Sequence, residues 1–120
     1  MPFKARLKEL VSSVEGATGA LVLEADGEAV QWHATDDGER LRLRAAYIAV
    51  AIRLARASAD CLKLGNVGCA VFEYDGASFI IEELEHGYYL ALELEAWANI
   101  SQALHEIQPA VRDLRRLVAA

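Results

Sequence analysis

The longest uninterrupted hydrophobic pattern in the chain covers residues 40–64, a stretch of 25 residues that contains neither glycine nor proline. On a helical wheel of about 100° per residue, five of its charged side chains fall on one narrow stripe, whereas apolar side chains spread over about two-thirds of the remaining circle. The charged stripe consists of Arg42, Arg53, Arg56, Asp60 and Lys63. A surface helix usually buries an apolar face only slightly wider than about 100°, so this long helix is predicted to be covered on two sides.

The apolar part of this helix divides into two flanks. One flank carries Tyr47, Val50, Leu54 and Cys61, and the other carries Ile48, Ile52 and Ala55. We predict that one flank packs on the chain's own sheet and that the other contacts a partner chain. The pattern does not say which flank does which, and a sheet wide enough to cover both flanks is the alternative.

Around the long helix, period-3.6 and period-2 patterns predict two further helices and five strands. The predicted helices cover residues 3–14 and 100–118, and the predicted strands cover residues 19–24, 28–33, 67–74, 77–84 and 88–94. The links Asp26-Gly27, Asp75-Gly76 and His86-Gly87 predict hairpins, so the strands that they join are expected to be antiparallel. Gly65-Asn66 is a typical left-handed stop for the long helix.

The last predicted helix combines a clear beginning with an interruption. Asn99, followed three residues later by Gln102, resembles a capping box. Pro109 lies inside the apolar pattern and removes one helix hydrogen bond, so a kink or break is expected between His105 and Gln108.

The resulting order of elements is α-β-β-α-β-β-β-α. It predicts an α+β fold, a profilin-like α/β/α sandwich with a five-stranded antiparallel sheet, in one domain that spans residues 1–120. The long helix is expected on one face of the sheet, and the N- and C-terminal helices on the other. The strands at 77–84 and 88–94 lack polar alternation, which is typical of strands covered on both faces.

Composition and charge narrow the class of protein. Hydrophobic residues make up 54% and charged residues 25% of the chain, as in globular proteins. The chain has no run of about 18 apolar residues and no apolar signal core, so we expect no membrane span and a cytoplasmic location. The net charge of −6 argues against nucleic-acid binding. Residues 40–63 carry six basic side chains and one acidic one, whereas residues 66–107 carry eight acidic ones and no lysine or arginine, which suits electrostatic steering of a protein partner.

Few residues suggest catalytic or metal chemistry. Cys61 and Cys69 form no Cys-x-x-Cys motif and lie among apolar neighbours, so we expect two small buried side chains. His33, His86 and His105 lie on different elements without the spacing of metal ligands. The sequence has no P-loop, Gly-x-Ser-x-Gly or His-Glu-x-x-His motif. We therefore predict no metal, no cofactor and no enzymatic activity.

Short motifs follow one another in a characteristic order. A first helix leads to Gly16-Ala17-Thr18-Gly19-Ala20 and a Leu-Val-Leu strand, Asp26-Gly27 turns, and an Ala/Leu-rich helix runs to Leu64-Gly65. Val71-Phe72-Glu73-Tyr74-Asp75-Gly76 and two more strands complete the order. Over essentially the whole chain, this arrangement resembles the Roadblock (dynein light chain) domain family, and within it the bacterial MglB-like branch. Pro109 in the last helix is a departure from the family pattern.

The resemblance implies homodimers or heterodimers in which the long helices pack together and the strand after the long helix pairs with its copy. The dimer interface implied for this chain consists of Tyr47, Val50, Leu54, Cys61, Val67, Cys69, Val71 and Glu73. The resemblance also implies small Ras-like GTPases as partners of the bacterial relatives, some of which stimulate GTP hydrolysis. Eukaryotic relatives serve dynein motors and GTPase scaffolds, and the family has no catalytic residues to transfer.

Three arginines of the charged stripe are the candidate residues for binding such a partner. Arg42, Arg53 and Arg56 can dock on an acidic patch of a GTPase, or one of them can reach its phosphates as an arginine finger. The alternative is a solvated face on a buried helix.

The sequence therefore predicts a non-catalytic dimeric module that binds a small Ras-like GTPase and modulates its GTP hydrolysis or switching. The alternative is a structural adaptor or scaffold subunit without a GTPase partner, whose binding would ignore nucleotide state. A third hypothesis is a profilin-like ligand-sensing domain. It requires a closed apolar pocket with a few polar groups, and the sequence names no such set.

Overall fold

The computed structural model describes residues 2–120 and places four helices and five strands in them. The helices are α1 (Pro2–Ser13), α2 (Gly38–Leu62), α3 (Ile100–Glu106) and α4 (Gln108–Ala119). The strands are β1 (Ala17–Glu24), β2 (Ala29–Ala34), β3 (Cys69–Glu73), β4 (Ser78–Glu83) and β5 (Tyr88–Leu94). The predicted order of elements is confirmed, with the last helical pattern divided into α3 and α4.

All five strands form one antiparallel sheet in the order β2-β1-β5-β4-β3. The two hairpins β1–β2 and β4–β5 lie side by side because β1 pairs with β5 along Glu24↔Tyr88 to Ala17↔Leu94. This arrangement places β2 and β3 at the two edges. The strand that directly follows the long helix therefore has one free side.

The side-chain alternation of the strands divides the core into two layers. Even-numbered residues of β1 and β5, such as Val22 and Leu92, pack against α1, α3 and α4. Odd-numbered residues, such as Leu21 and Tyr89, pack against α2. β4 and β5 are buried along almost their whole length. The predicted α/β/α arrangement and the prediction of strands covered on both faces are thus confirmed.

The hairpin turn between β4 and β5 uses left-handed backbone at two successive residues. His86 has a φ of 59° and Gly87 a φ of 79°, and the Tyr88 N–H donates to the Glu85 carbonyl at 3.2 Å. Positive φ at both central residues is the requirement of a type I′ turn, whose twist matches that of the flanking strands.

The break in the last helical pattern falls at Ile107, between the predicted limits of His105 and Gln108. Asn99 caps α3 by accepting a hydrogen bond from the Gln102 N–H at 3.0 Å. Pro109 lies in the first turn of α4, where a missing N–H costs nothing because that group has no partner within its helix. The chain therefore accommodates the proline by beginning a new helix.

The long helix begins and ends two residues earlier than predicted. Asp37 caps its start by accepting from the Glu39 N–H at 2.9 Å. At its end Lys63, rather than Gly65, is the first left-handed residue, with a φ of 57°. The N–H groups of Lys63 and Leu64 donate to the carbonyls of Asp60 and Ala59 at 3.2 and 2.9 Å. This is the hydrogen-bond pattern of a Schellman motif, which ends the helix before the glycine is reached.

Replacing Lys63 with glycine is expected to stabilise the protein by about 0.5–1 kcal/mol, because a left-handed conformation strains a residue that carries a Cβ. Urea unfolding at one fixed protein concentration measures the change. Lys63→Ala is the matched control, since it removes the charge and keeps the Cβ. A gain in stability for alanine equal to that for glycine would contradict the conformational explanation.

Candidate protein-interaction site

The outward face of α2 carries an apolar seam with heptad-like spacing. The seam consists of Leu43, Tyr47, Val50, Leu54, Ala57 and Cys61, and every member is exposed. Intervals of four and three residues keep side chains on one line along a helix, which is the pattern of helices that pair. Leu43 and Ala57 were missed at the sequence level, although their spacing from Tyr47 and Leu54 would have found them.

The structure decides which flank of α2 faces the sheet. Ile48 and Ile52 are buried in the core, and Ala55 of the same flank is half-buried. On the opposite flank, Tyr47 is 72% exposed and Leu54 is 66% exposed. The sheet of this chain therefore covers only one flank, and the alternative in which it covers both is wrong.

A shallow apolar groove continues the seam towards the β3–β4 turn. Leu43 and Tyr47 from α2 form one wall, and Tyr74, Ala77 and Phe79 form the other, around a volume of about 370 Å³. The rings of Tyr74 and Phe79 meet edge to face with their centroids 6.5 Å apart. Tyr74 is 55% exposed, so it adds a second large aromatic side chain to the exposed surface.

Strand β3 supplies the remaining residues predicted for the interface. Cys69, Val71 and Glu73 are exposed and alternate with the half-buried Ala70 and Phe72. Within residues 2–120 the strand pairs with β4 alone, and it is shorter than the predicted 67–74. Val67 precedes it and is half-buried, with its backbone outside the ladder. The eight predicted interface residues thus lie on two neighbouring segments, α2 and the β3 region, of which seven residues are exposed.

The prediction that both cysteines are buried is wrong. Cys61 and Cys69 are both exposed. Their apolar neighbours in the sequence belong to the α2 seam and to the edge strand, which this chain leaves uncovered. An apolar local sequence identifies a surface that avoids water, but it does not say whether the same chain covers it.

The Cys69 thiol has an unusual environment for an exposed residue. Burial of the sulfur atom, together with its hydrogen bond to the neighbouring Glu82 carboxylate, raises the pKa of Cys69 to about 11. The two residues are directly paired across β3 and β4. At neutral pH the thiolate, which is the reactive form, is therefore scarce.

Glu82→Gln is expected to speed alkylation of Cys69 by iodoacetamide at pH 8 by up to about tenfold, because removal of the carboxylate charge lowers the pKa of the thiol. Peptide mass spectrometry follows the rate at a protein concentration low enough to keep the chain monomeric, with Cys61 of the same molecule as the internal reference. Glu83→Gln is the matched control, since neighbouring strand residues point to opposite faces. Equal rates for Cys69 in both variants would show that the Glu82 charge has no influence.

The three candidate arginines of the charged stripe differ in how far they are held by their own chain. The Arg42 guanidinium carbon lies 4.2 Å from the centre of the Trp32 ring and its Nη1 lies 2.9 Å from Glu39. Arg53 donates to the Ala25 carbonyl at 2.6 Å. Arg56 is exposed and, within residues 2–120, makes no ion pair. Of the three, Arg56 is thus the one most available to a partner.

A buried carboxylate network was missed at the sequence level. Glu93 on β5 is 1% exposed, and its Oε1 accepts from the Thr18 hydroxyl at 2.6 Å. Its Oε2 accepts from Arg40 at 3.1 Å and from Arg44 at 3.0 Å. Arg40 also bonds to Asp36 at 2.8 Å, and this contact raises the pKa of Arg40 and lowers the pKa of Asp36. The network ties the first turns of α2 to the centre of the sheet.

Two sequence signals could have found this network. Glu93 interrupts the apolar strand Tyr88–Leu94, which is covered on both faces, so its carboxylate needs a cationic partner. Arg40 and Arg44 are four residues apart and therefore lie on the same side of a helix. What the sequence lacks is any indication that these two segments meet.

A family model for the Roadblock/LC7 domain matches residues 4–93 of the chain. The chain belongs to the Roadblock/LC7 domain family. Its family resemblance, predicted from the turn motifs, is thereby confirmed. The chain has no match among curated proteins.

Solved structures similar to this Roadblock domain share its fold at low sequence identity. A Roadblock/LC7 domain from Streptomyces avermitilis has 22% identity and a TM-score of 0.86, with 98% of each chain covered. MglB from Myxococcus xanthus has 11% identity and a TM-score of 0.87, with 99% of this chain and 96% of that chain covered. An MglB in a tetrameric arrangement has 18% identity and a TM-score of 0.82, with coverage of 96% and 88%.

Two further features of the Roadblock domain, an acidic turn and an exposed tryptophan, lie outside α2 and β3. Glu24, Asp26 and Glu28 bring three carboxylates together at the β1–β2 turn, where Asp26 accepts from the Glu28 N–H at 3.0 Å. Glu24 is half-buried and the other two are exposed, and acidic groups of this kind are common at turns. Trp97 is 66% exposed in the loop between β5 and α3. No helix in the described part of the chain has the length and apolar character needed to cross a membrane.

Proposed function

We propose that residues 1–120 act as one Roadblock domain that forms a dimer through α2 and β3. The observation that carries this proposal is the exposed apolar seam on α2. Exposed apolar patches of this kind in a globular protein mark interaction sites. Heptad-like spacing favours another helix as the occupant, and a second copy of α2 offers the same spacing.

The edge strand β3 supports a two-fold arrangement. An isologous interface brings the same surface of both chains together, so each exposed edge strand meets its own copy in the antiparallel direction. Pairing of β3 with its copy would satisfy the free backbone groups of both edges and continue the sheet across the two chains. Cys69, Val71 and Glu73 would then lie next to the two-fold axis. An identical chain or a related Roadblock chain both fit this surface.

We further propose that this dimer binds a small Ras-like GTPase and modulates its GTP hydrolysis or switching. The support comes from family membership, from the fold shared with MglB and from the exposed Arg56 on α2. The module would act without catalytic residues of its own, by ordering the switch loops of the GTPase. The proposal places the protein in the cytoplasm, where such GTPases work.

The test combines light scattering with GTPase assays. Purified chain is expected to have twice the mass of the monomer at micromolar concentration. Small Ras-like GTPases of the source organism, loaded with GTP or GDP, are then mixed with it, and complex formation and phosphate release are measured. Formation of a complex together with a changed rate of phosphate release supports the proposal. If no complex forms with any of these GTPases, the proposed GTPase binding is refuted. The proposed dimer is tested separately, by the light-scattering mass.

The alternative of a structural adaptor makes a different prediction in the same experiment. An adaptor would bind its partner with equal affinity in the GTP and GDP states, or would bind a partner that is not a GTPase. A preference of at least about tenfold for one nucleotide state, equivalent to about 1.4 kcal/mol, separates regulation from scaffolding.

A further inference from the structure

The outer surface of α1 and α4 is the basic face of an acidic protein. α1 carries Lys4, Arg6 and Lys8 with one acid, Glu9, and α4 carries three arginines, at 112, 115 and 116, with one acid, Asp113. Six cations against two carboxylates leave a side-chain charge of +4, whereas the whole chain has −6. This α1/α4 face lies on the side of the sheet opposite the α2 seam.

Within the α1/α4 face, both acidic side chains form ion pairs, and several of the cations have no acidic partner. Arg6 bridges the two helices by contacting Asp113 at 2.8 Å, and it also pairs with Glu9 at 3.1 Å. Arg116 pairs with the same Asp113 at 3.1 Å. Among the residues described, the side chains of Lys8 and Arg112 have neither an ion pair nor a hydrogen bond, and both residues are exposed. Their charges therefore face solvent.

The remaining cations extend the face across most of the layer. Lys4 donates to the Trp32 carbonyl of β2 at 3.0 Å, and Arg115 donates to the Glu83 carbonyl at the end of β4 at 2.9 Å. Neutral carbonyls fix the side chains but leave their charges uncompensated. Since β2 and β4 are three strand spacings apart, the cations spread over about 14 Å. The positive potential also reaches β2, where burial and then the charges of Lys4 and Lys8 lower the pKa of His33.

Among residues 3–120, whose side chains the structure describes, the α1/α4 face has charge without an apolar anchor. Protein interfaces usually centre on large exposed apolar or aromatic side chains. The exposed large hydrophobic residues of the described chain all lie elsewhere, on α2 and its C-terminal end, β2, β3, the β3–β4 turn and the loop before α3. Binding at the α1/α4 face therefore has to be electrostatic and cannot depend on close shape complementarity. A planar array of negative charges is a ligand that meets both conditions.

We propose that the α1/α4 face binds an anionic lipid surface and holds this Roadblock domain at a membrane without inserting into it. Basic residues close to such a surface are attracted within a screening length of about 8 Å at physiological salt. Acidic side chains on the far side of the molecule are screened over that distance and do not cancel the attraction. The proposal is independent of the GTPase, because it concerns the face opposite the α2 seam.

The test is co-sedimentation of the full chain with lipid vesicles. Vesicles of phosphatidylcholine alone are compared with vesicles that contain about 30% phosphatidylserine, at 50, 150 and 500 mM sodium chloride. Binding is expected only to the anionic vesicles and is expected to disappear at the highest salt concentration. Lys8→Glu with Arg112→Glu is expected to weaken binding at least about 25-fold, since each cation removed accounts for about fivefold.

Lys8→Arg with Arg112→Lys is the matched control, which keeps the charge and is expected to bind like the native chain. Circular dichroism melting verifies that each variant is folded. Absence of binding to anionic vesicles at 50 mM salt would overturn the proposal, as would equal binding by both double variants. A 20-base-pair DNA duplex is the competing probe, and tighter binding to the duplex than to the vesicles would assign the face to nucleic acid and overturn the proposal as well.

Discussion

Replacing both Arg40 and Arg44 with methionine is expected to lower the free energy of unfolding by about 3–5 kcal/mol, a large part of the stability of a small domain. The cost arises at Glu93, whose side chain is 1% exposed and, of its partners in the described part of the chain, would keep only the Thr18 hydroxyl. A buried charge without a cationic partner has lost its hydration, and no ion pair compensates for that desolvation penalty. Urea unfolding at a fixed protein concentration measures the loss.

The triple variant Arg40→Met, Arg44→Met and Glu93→Met is the control that isolates the buried charge. Replacement of a whole buried ion-pair group by apolar side chains of similar size is often close to neutral. The triple variant is therefore expected to recover most of the stability lost by the double variant. If the double variant melts like the native protein, the network does not hold α2 to the sheet, and its contacts are incidental.

Placing glutamate at position 54 is expected to convert the proposed dimer into a monomer. Leu54 lies near the middle of the seam, and a two-fold axis would bring both introduced carboxylates to the same apolar interface. Burial of such unpaired like charges costs about 3–5 kcal/mol, which raises the dissociation constant by about two to three and a half orders of magnitude. Sedimentation velocity over a dilution series measures the change.

Val30→Glu is the matched control for this experiment. Val30 is 42% exposed on β2, at the edge of the sheet opposite to β3, so the same apolar-to-acidic change there is expected to leave self-association unaltered. Because Leu54 is 66% exposed in the single chain, the substitution should not unfold the monomer. A dimer that persists in Leu54→Glu at native affinity would mean that the chains associate through another surface.

The order of elements and the layers of this protein follow from the sequence because their signals are local. The period of the apolar residues distinguishes α2 from the strands, and turn residues such as Gly27 and Gly87 separate neighbouring strands. Even the interruption at Pro109 was predicted at the right place, since a missing N–H acts on the immediate backbone. The sequence also showed the wide apolar surface of α2. This surface led to the prediction that the helix is covered both by its own sheet and by a partner chain.

Tertiary structure alone decided which flank of α2 the sheet covers and that the region of Cys61 and Cys69 stays uncovered. It also decided that Glu93 meets Arg40, a residue 53 positions away in the chain. The physical reason is that the period of the apolar residues fixes how side chains are arranged around their own helix or strand. Their burial depends on which distant element of the fold packs against them. A cysteine beside leucines and a glutamate inside an apolar strand have no defined environment until the sheet, and a partner chain where there is one, are in place.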